Sequence, residues 1–402
     1  MREADLYRSP NALAPAYSRF RVAERLLLTG HSHQAWPDRA WDGQLRAFAD
    51  AAELVDAKWE RAFAQADRVR RGFARLMADD GEYALAANTH ELVVRFLSAL
   101  PLRERPRLVT TDGEFHSIRR QLDRLAEEGI EVVKVPASPV PTVAERLARA
   151  VDDRTAAVLV SAVFFGSGAI VPGLSEVARA AHASGAELLV DVYHALGVLP
   201  FPLEKLGLSQ AFVVGGGYKY CQLGEGNCFL RFPRGCTLRP VLTGWFAEFD
   251  TLATAQPGEV AYGAGGARFA GSTYDPTSHY RAAEVFDFFV EQGLDPAFLR
   301  AVSQHQVGLL AHGFDDLDLP PALVDRDRSL PLAETGGFLA LRSPHARELF
   351  ESLAARGVLT DYRNDVLRLG PAPYLSDAQL NDALGIFREV ASTIDRHDLR
   401  TA

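Results

Sequence analysis

The chain carries thirty-nine arginines and only four lysines, and one of those lysines follows the most unusual run in the sequence. Phe212-Val213-Val214-Gly215-Gly216-Gly217-Tyr218-Lys219-Tyr220 reads as a buried strand, a triple-glycine break and a lysine set between two tyrosines. Arginine does not give up its proton in proteins, whereas a desolvated lysine amine does and can then form a Schiff base with a carbonyl. A chain that uses arginine for ordinary cationic duty has kept a primary amine at Lys219. That residue is the first candidate for covalent chemistry.

Two other strand ends carry polar groups that need a reason. Asp191, in Leu188-Leu189-Val190-Asp191-Val192-Tyr193-His194, closes an apolar strand, and a carboxylate there is costly unless a cation or a set of donors meets it. Taken alone, such an Asp reads equally as a helix cap or a core-paired acid. Lys219 follows twenty-eight residues later, after the next strand, which places both at one edge of a sheet. The third group is Asn88-Thr89-His90-Glu91, at the head of an amphipathic stretch ending near Leu100. Free backbone N–H groups beside hydroxyl and amide side chains make an anion site, or simply an N-cap.

The elements that must position these groups alternate in type. Arg107–Thr111, Glu131–Val135, Ala156–Phe165, Glu187–Val192 and Ala211–Val214 are short apolar runs of strand length. Amphipathic segments such as Val143–Val151 and Leu174–Ala183 lie between several of them. Continuous apolar strands separated by helices predict a mostly parallel sheet covered on both faces. Asn227–Phe232 follows too soon for a helical crossover and is expected to be an antiparallel neighbour. In such sheets ligands bind beyond the carboxyl ends of the strands, where Asp191 and Lys219 stand.

After about Thr277 the pattern changes to helices at Ala282–Gln292, Ala297–His312, Pro344–Arg356 and Asp377–Arg396, with strand-like pieces at Gly337–Leu341 and Val366–Leu369. The Gly- and Ala-rich stretch Gly258–Gly271 reads as the linker, and Leu317–Leu330 as a loop. Expected boundaries are an N-terminal segment over 1–45, a large α/β domain over 46–275 and a smaller α+β domain over 276–402.

Composition bounds the partners. A formal charge of −9 argues against nucleic acid and anionic membranes. The opening Met1-Arg2-Glu3-Ala4-Asp5 has no apolar run behind it, so no signal peptide is expected. Cys221, Cys228 and Cys236 are an odd, closely spaced set that matches no common zinc spacing; they suit a reducing cytoplasm and no metal.

Together these residues resemble the fold-type I pyridoxal-phosphate enzymes, within them the class V aminotransferase group, and most of all kynureninase, along nearly the whole chain. The specific part is Asp191-x-x-His194 followed by Gly217-Tyr218-Lys219-Tyr220. The resemblance implies the aspartate aminotransferase fold and pyridoxal 5′-phosphate as cofactor. It makes Lys219 the Schiff-base residue and acid/base at Cα, and Asp191 the partner of the pyridine nitrogen. His194 lies beside the cofactor, while Asn88, Thr89 and the Tyr218 hydroxyl form the phosphate site. Phe115 aligns with the residue that stacks on the ring, Trp245 with a substrate-pocket wall, and Arg368 with the ligand of the substrate carboxylate. Ser272 and Thr273 match a segment that reaches the partner subunit's phosphate, which implies a homodimer with shared sites.

Other positions depart from that pattern. Gly271 or Ser272 stands where an Asn meets the aromatic substrate, and Phe115-His116-Ser117-Ile118 lacks the Asp of the family's Phe-Pro-x-Asp. Ala162 replaces a cofactor-touching Asn, and Gly30-His31-Ser32-His33-Gln34 replaces a Gly-Asn-Ser-Leu-Gly segment. His31 and His33 line the substrate pocket or belong to a solvated loop. The absence of any Cys after Cys236 argues against persulfide sulfur transfer. The expectation is Cβ cleavage of a free, specialised amino acid, of the C–C hydrolase or C–S lyase type. Transamination, oxidative deamination and a catalytically silent binding role are the alternatives.

Overall fold

The structure, a computed structural model, describes residues 1–254 and 258–401. The strands in chain order are β1 (Leu26–Leu27), β2 (Glu82–Ala86), β3 (Arg107–Thr111), β4 (Glu131–Val135), β5 (Thr155–Ser161), β6 (Glu187–Asp191), β7 (Phe212–Gly216), β8 (Cys228–Phe232), β9 (Leu339–Arg342), β10 (Val358–Leu359), β11 (Asp361–Arg363) and β12 (Val366–Leu369).

Seven of these strands form one sheet in the order β2-β8-β7-β6-β5-β3-β4. The pairs from β4 through β7 are parallel, and β8 is antiparallel to both β7 and β2. β5 is buried along its whole length and β6 through Leu188–Val190, as expected of strands covered on both faces by helices. The apolar run after Ala156 ends as a strand at Ser161, because the residues beyond it turn through Gly166 and Gly168. The fold is therefore α/β, with the carboxyl ends of β5, β6 and β7 side by side. Registers Ser161↔Asp191 and Asp191↔Val214 bring the three strand ends level.

The triple glycine has a packing cause. A Cβ on Gly216 would lie 2.3 Å from the Tyr193 hydroxyl and 2.6 Å from the Cys228 Sγ, and one on Gly217 would lie 2.5 Å from Leu223. Any side chain at either position would push the turn that carries Lys219 out of place.

β2 has no counterpart among the expected strands. It is held to β8 by a full antiparallel register and by a buried ion pair. Arg231 donates through Nη2 to Asp79 Oδ1 at 2.6 Å and through Nε to Asp79 Oδ2 at 2.8 Å; its Nη1 meets the Ser209 and Ala211 carbonyls, each at 2.8 Å. The helices Arg39–Leu54 and Lys58–Leu76 pack against Thr277–Gln292. That last helix begins five residues earlier than its apolar pattern suggests, after Pro276.

C-terminal to it, β11-β12-β9 form a three-stranded antiparallel sheet flanked by Ala346–Ala355 and Asp377–Thr401. The N-terminal segment joins this part of the molecule: β1 pairs in parallel with β10, and Gly30 N–H donates to the Gly370 carbonyl at 2.7 Å. Among the described residues no helix is long and apolar enough to cross a membrane.

Candidate active site

A cavity of about 430 Å³ opens beyond the ends of β5, β6 and β7. Asn88, Thr89, Phe115, Asp191, His194, Tyr218 and Lys219 all line it, although they lie on four separate stretches of chain. Ser161, Tyr193, Phe165, Glu225 and Cys228 complete much of the wall.

Lys219 is 6 % exposed, and its Nζ lies 2.6 Å from His194 Nε2. Burial pushes the amine well below its ordinary affinity for protons; Asp191 opposes that shift and Arg368 adds to it. Nζ also sits over three aromatic rings, 4.8 Å from the Tyr193 centroid, 5.5 Å from Phe115 and 5.9 Å from Tyr218. Burial drives the His194 imidazole far down as well, and the neighbouring Lys219 charge adds to the effect.

Asp191 is placed by its own turn: its Oδ1 accepts the Tyr193 N–H at 2.8 Å. Burial raises its carboxyl, which this hydrogen bond and Lys219 partly offset. Among the described residues Asp191 has no ion pair within 4.0 Å, so a carboxylate and an amine face the same enclosure without direct cation–anion contact. Such a pair lacks the partners that would normally compensate its burial. His194 Nδ1 is another buried polar atom without a partner. The enclosure therefore suits a polar ring that offers a cation to Asp191 and a carbonyl carbon to Lys219.

At the far end, Asn88 caps the helix Thr89–Ser98, its Oδ1 accepting the Glu91 N–H at 2.9 Å. That bond leaves the earlier N–H groups of the first turn to face an anion. The cap and the anion site thus coexist. Phe115 immediately precedes the helix His116–Glu127 and stands edge-on to Phe165, with ring centroids 5.2 Å apart.

The remaining expected residues fall outside this wall. Arg368 is buried behind it: Nη1 donates to the Phe165 carbonyl at 2.9 Å, and Nη2 to Asp361 Oδ2 at 2.5 Å. His31 is fully buried against Phe338, with Nε2 3.7 Å from Asp361 Oδ2. Burial lowers its pKa to about 4, so the ring is neutral. His33 is exposed and stacks on Tyr218 at 4.7 Å. The two histidines that looked alike in sequence therefore occupy opposite environments.

Trp245, Ser272 and Thr273 lie at the exposed surface, where the Trp245 Nε1–H donates to Thr273 Oγ1 at 3.2 Å. None of the three lines the cavity of its own chain. Burial raises the Cys221 and Cys228 thiols to about 12, which leaves neither as a ready nucleophile. Among the described residues no group of three or more His, Cys, Asp or Glu could hold a metal ion.

Two acidic residues escaped the sequence reading. Glu114 is buried behind the cavity, accepting Ser161 Oγ–H at 2.6 Å, Thr111 Oγ1–H at 2.7 Å and the Ser161 N–H at 3.2 Å. Burial raises its carboxyl to about 7; those donors restrain the rise and Asp191 adds to it. Asp361 is the anion beside Arg368. A search for what neutralises a buried arginine would have found it, seven residues upstream.

Residues 329–387 match the kynureninase C-terminal domain family, and residues 85–221 match the class V aminotransferase family. A kynureninase of Xanthomonas euvesicatoria pv. vesicatoria is 30% identical over 331 residues, covering 76% of this chain and 75% of the relative. The chain belongs to the kynureninase family. It is a pyridoxal-phosphate enzyme of the class V aminotransferase group. A kynureninase of Pseudomonas fluorescens is 26% identical over 410 residues and spans 94% of this chain and 92% of its own length. Among solved structures, the cystine C–S lyase C-DES, in complex with cysteine persulfide, superposes with a TM-score of 0.80 at 17% identity, covering 92% of this chain and 98% of the other. The cysteine desulfurase CsdA from Escherichia coli gives 0.78 at 15% identity, covering 98% and 99%. At those identities the structural likeness establishes the shared fold.

Proposed function

We propose that the protein binds pyridoxal 5′-phosphate in the 430 Å³ cavity and cleaves a Cβ bond of a free amino acid, as a C–C hydrolase or C–S lyase. The observation that carries this reading is the buried Lys219 amine sharing one enclosure with the ion-pair-free Asp191. When bound, the cofactor supplies an electron sink for negative charge developing at Cα.

Every other step belongs to the chain. Lys219 would hold the cofactor and supply the amine that moves a proton at Cα; its lowered proton affinity suits that exchange near neutral pH. Asp191 keeps the pyridine nitrogen protonated. Phe115 would pack against the cofactor from the cavity wall, and His194 holds the Lys219 amine. Asn88, Thr89 and the Tyr218 hydroxyl take the phosphate at the helix start. Arg368 receives the substrate carboxylate, and His31 and His33 flank the substrate side.

The likeness to kynureninases along most of the chain supports Cβ cleavage, while the altered pocket residues favour a substrate other than kynurenine. We further propose a cytoplasmic homodimer. In it Trp245, Ser272 and Thr273 complete the partner's site, and the chain divides at about residues 45 and 275. The exposed apolar side chains Val241, Leu242, Trp245, Phe249, Leu252 and Val260 support a covered face there.

The test is Lys219→Ala beside the wild type, each with added pyridoxal phosphate. The wild type should show a visible cofactor band that borohydride fixes covalently; the variant should show neither and lose turnover. Screening the wild type against free amino acids for release of alanine, pyruvate or ammonia identifies the bond broken. Normal covalent attachment in the variant would overturn the assignment.

A further inference from the structure

Arg368 is already partly engaged by an anion of its own chain. Asp361 binds it through Oδ2 at 2.5 Å, and the same carboxylate binds Arg363 Nη1 through Oδ1 at 2.7 Å. Burial alone would raise the Asp361 carboxyl, but His31 and the two guanidiniums outweigh it and lower it to about 2. Asp361 is therefore a full negative charge at neutral pH. The imidazole 3.7 Å away is neutral at that pH, so the opposite charge comes from the two guanidiniums.

This arrangement limits what Arg368 can accept. A planar guanidinium binds a carboxylate best through two parallel N–H groups. Nη1 gives one N–H to the Phe165 carbonyl and Nη2 gives one to Asp361, while Nε is buried without a partner. A second carboxylate on the same guanidinium would stand beside Asp361 in a buried region, and like charges there repel strongly. Asp361 must give way, yet a buried carboxylate left alone is costly. Arg363 removes that cost: it already holds the other oxygen, and its side chain is 46 % exposed, so it can carry the carboxylate toward solvent. The backbone permits the movement, because β11 is an edge strand that, among the described residues, pairs with β12 alone.

We propose that substrate binding is a carboxylate exchange: the substrate's carboxylate displaces Asp361 from Arg368, and Arg363 retains the displaced Asp361. The pair then sets the affinity for amino acids relative to amines without touching the reacting atoms. This rests on the reading of Arg368 as the carboxylate ligand.

The test uses the holoenzyme and two probes, L-alanine and ethylamine, which differ by the carboxylate. Each dissociation constant is read from the change in cofactor absorbance, and thermal melting checks each variant's fold. Asp361→Asn keeps the hydrogen-bond acceptor and removes the charge, so alanine should bind roughly fivefold more tightly while ethylamine is unchanged. Arg363→Gln should weaken alanine by a similar factor and leave ethylamine alone. The double variant should bind alanine like Asp361→Asn, because Arg363 acts only through Asp361. If Asp361→Asn weakens alanine, Asp361 merely orients Arg368 and the exchange is wrong. If either single variant shifts both probes equally, the effect is structural and the proposal fails. Arg368→Gln separates the two levels: an unchanged alanine-to-ethylamine ratio there would remove the carboxylate role of Arg368 itself.

Discussion

Lys219 Nζ and His194 Nε2 stand 2.6 Å apart, and each side chain is nearly buried at the wall of the cavity. A charged amine can only donate, so whenever Lys219 is protonated His194 accepts on Nε2 and keeps its own proton on Nδ1, where no partner meets it. The contact holds the amine in one direction, beside the Phe115 ring.

Removing that contact should therefore cost rate more than stability. His194→Ala is expected to lower kcat about 10²-fold through loss of amine placement, while borohydride still fixes the cofactor on Lys219. Steady-state kinetics beside the visible spectrum checks this. Unchanged kcat would show the contact to be idle.

Asp191→Asn tests the opposite end of the cavity. Asparagine keeps the size and the acceptor for the Tyr193 N–H but cannot hold a proton on a pyridine nitrogen. Turnover should drop about 10²–10³-fold with the cofactor still bound. A cofactor analogue lacking that nitrogen's basicity should then reduce the difference between variant and wild type. If the variant retains full activity, Asp191 does not serve the ring.

Acid should loosen the fold before it protonates the ion-paired carboxylates. His31 has its pKa lowered from 6.5 to about 4 and His279 to about 3, both chiefly by burial, and burial holds His194 well below its ordinary value too. The unfolded chain takes up protons on these rings first, so their contribution is present above pH 6.5 and is lost as pH falls toward 4. His31 alone represents on the order of 3 kcal/mol. Glu114, raised to about 7, works in the opposite sense over part of that window, as do Asp191 and Glu187, both raised by burial; the lowered carboxyls of Asp361 and Asp79 add to the loss at acid pH. Urea unfolding between pH 7.5 and 4.5 should show falling stability, with a shallower slope in His279→Gln. An equal slope in the variant would refute the assignment.

The Arg231–Asp79 pair offers a test of the sheet itself. Arg231→Leu leaves Asp79 buried with only the Gly81 N–H and the Tyr83 hydroxyl for company. A loss of about 3–5 kcal/mol is expected, measured by denaturant titration, because a buried charge has lost its partner. A loss below 1 kcal/mol would mean that water reaches Asp79.

Sequence alone determined the parts whose cause is local. Continuous apolar runs such as β5 and β6 declare a parallel sheet covered on both faces, where both sides of a strand are buried. The polar residues ending those runs are exceptional enough to be read as a site, and thus Asp191, Lys219 and Thr89 were legible together. β2 was not, because Glu82-Tyr83-Ala84-Leu85-Ala86 has no β-branched residue and two alanines, and owes its place to β8 and the Arg231–Asp79 pair.

The tertiary structure alone decided which of two like residues is buried and which charge meets which. His31 and His33 are two positions apart in one loop, yet the packing of Phe338 and Gly370 encloses the first and leaves the second in solvent. Glu114 and Asp361 look like surface acids in sequence. They become buried acids only because Ser161 and Thr111 in one case, and Arg368 and Arg363 in the other, meet them there. Local pattern records what a segment must hide; the partners that make a buried charge tolerable come from elsewhere in the chain, and folding alone brings them together.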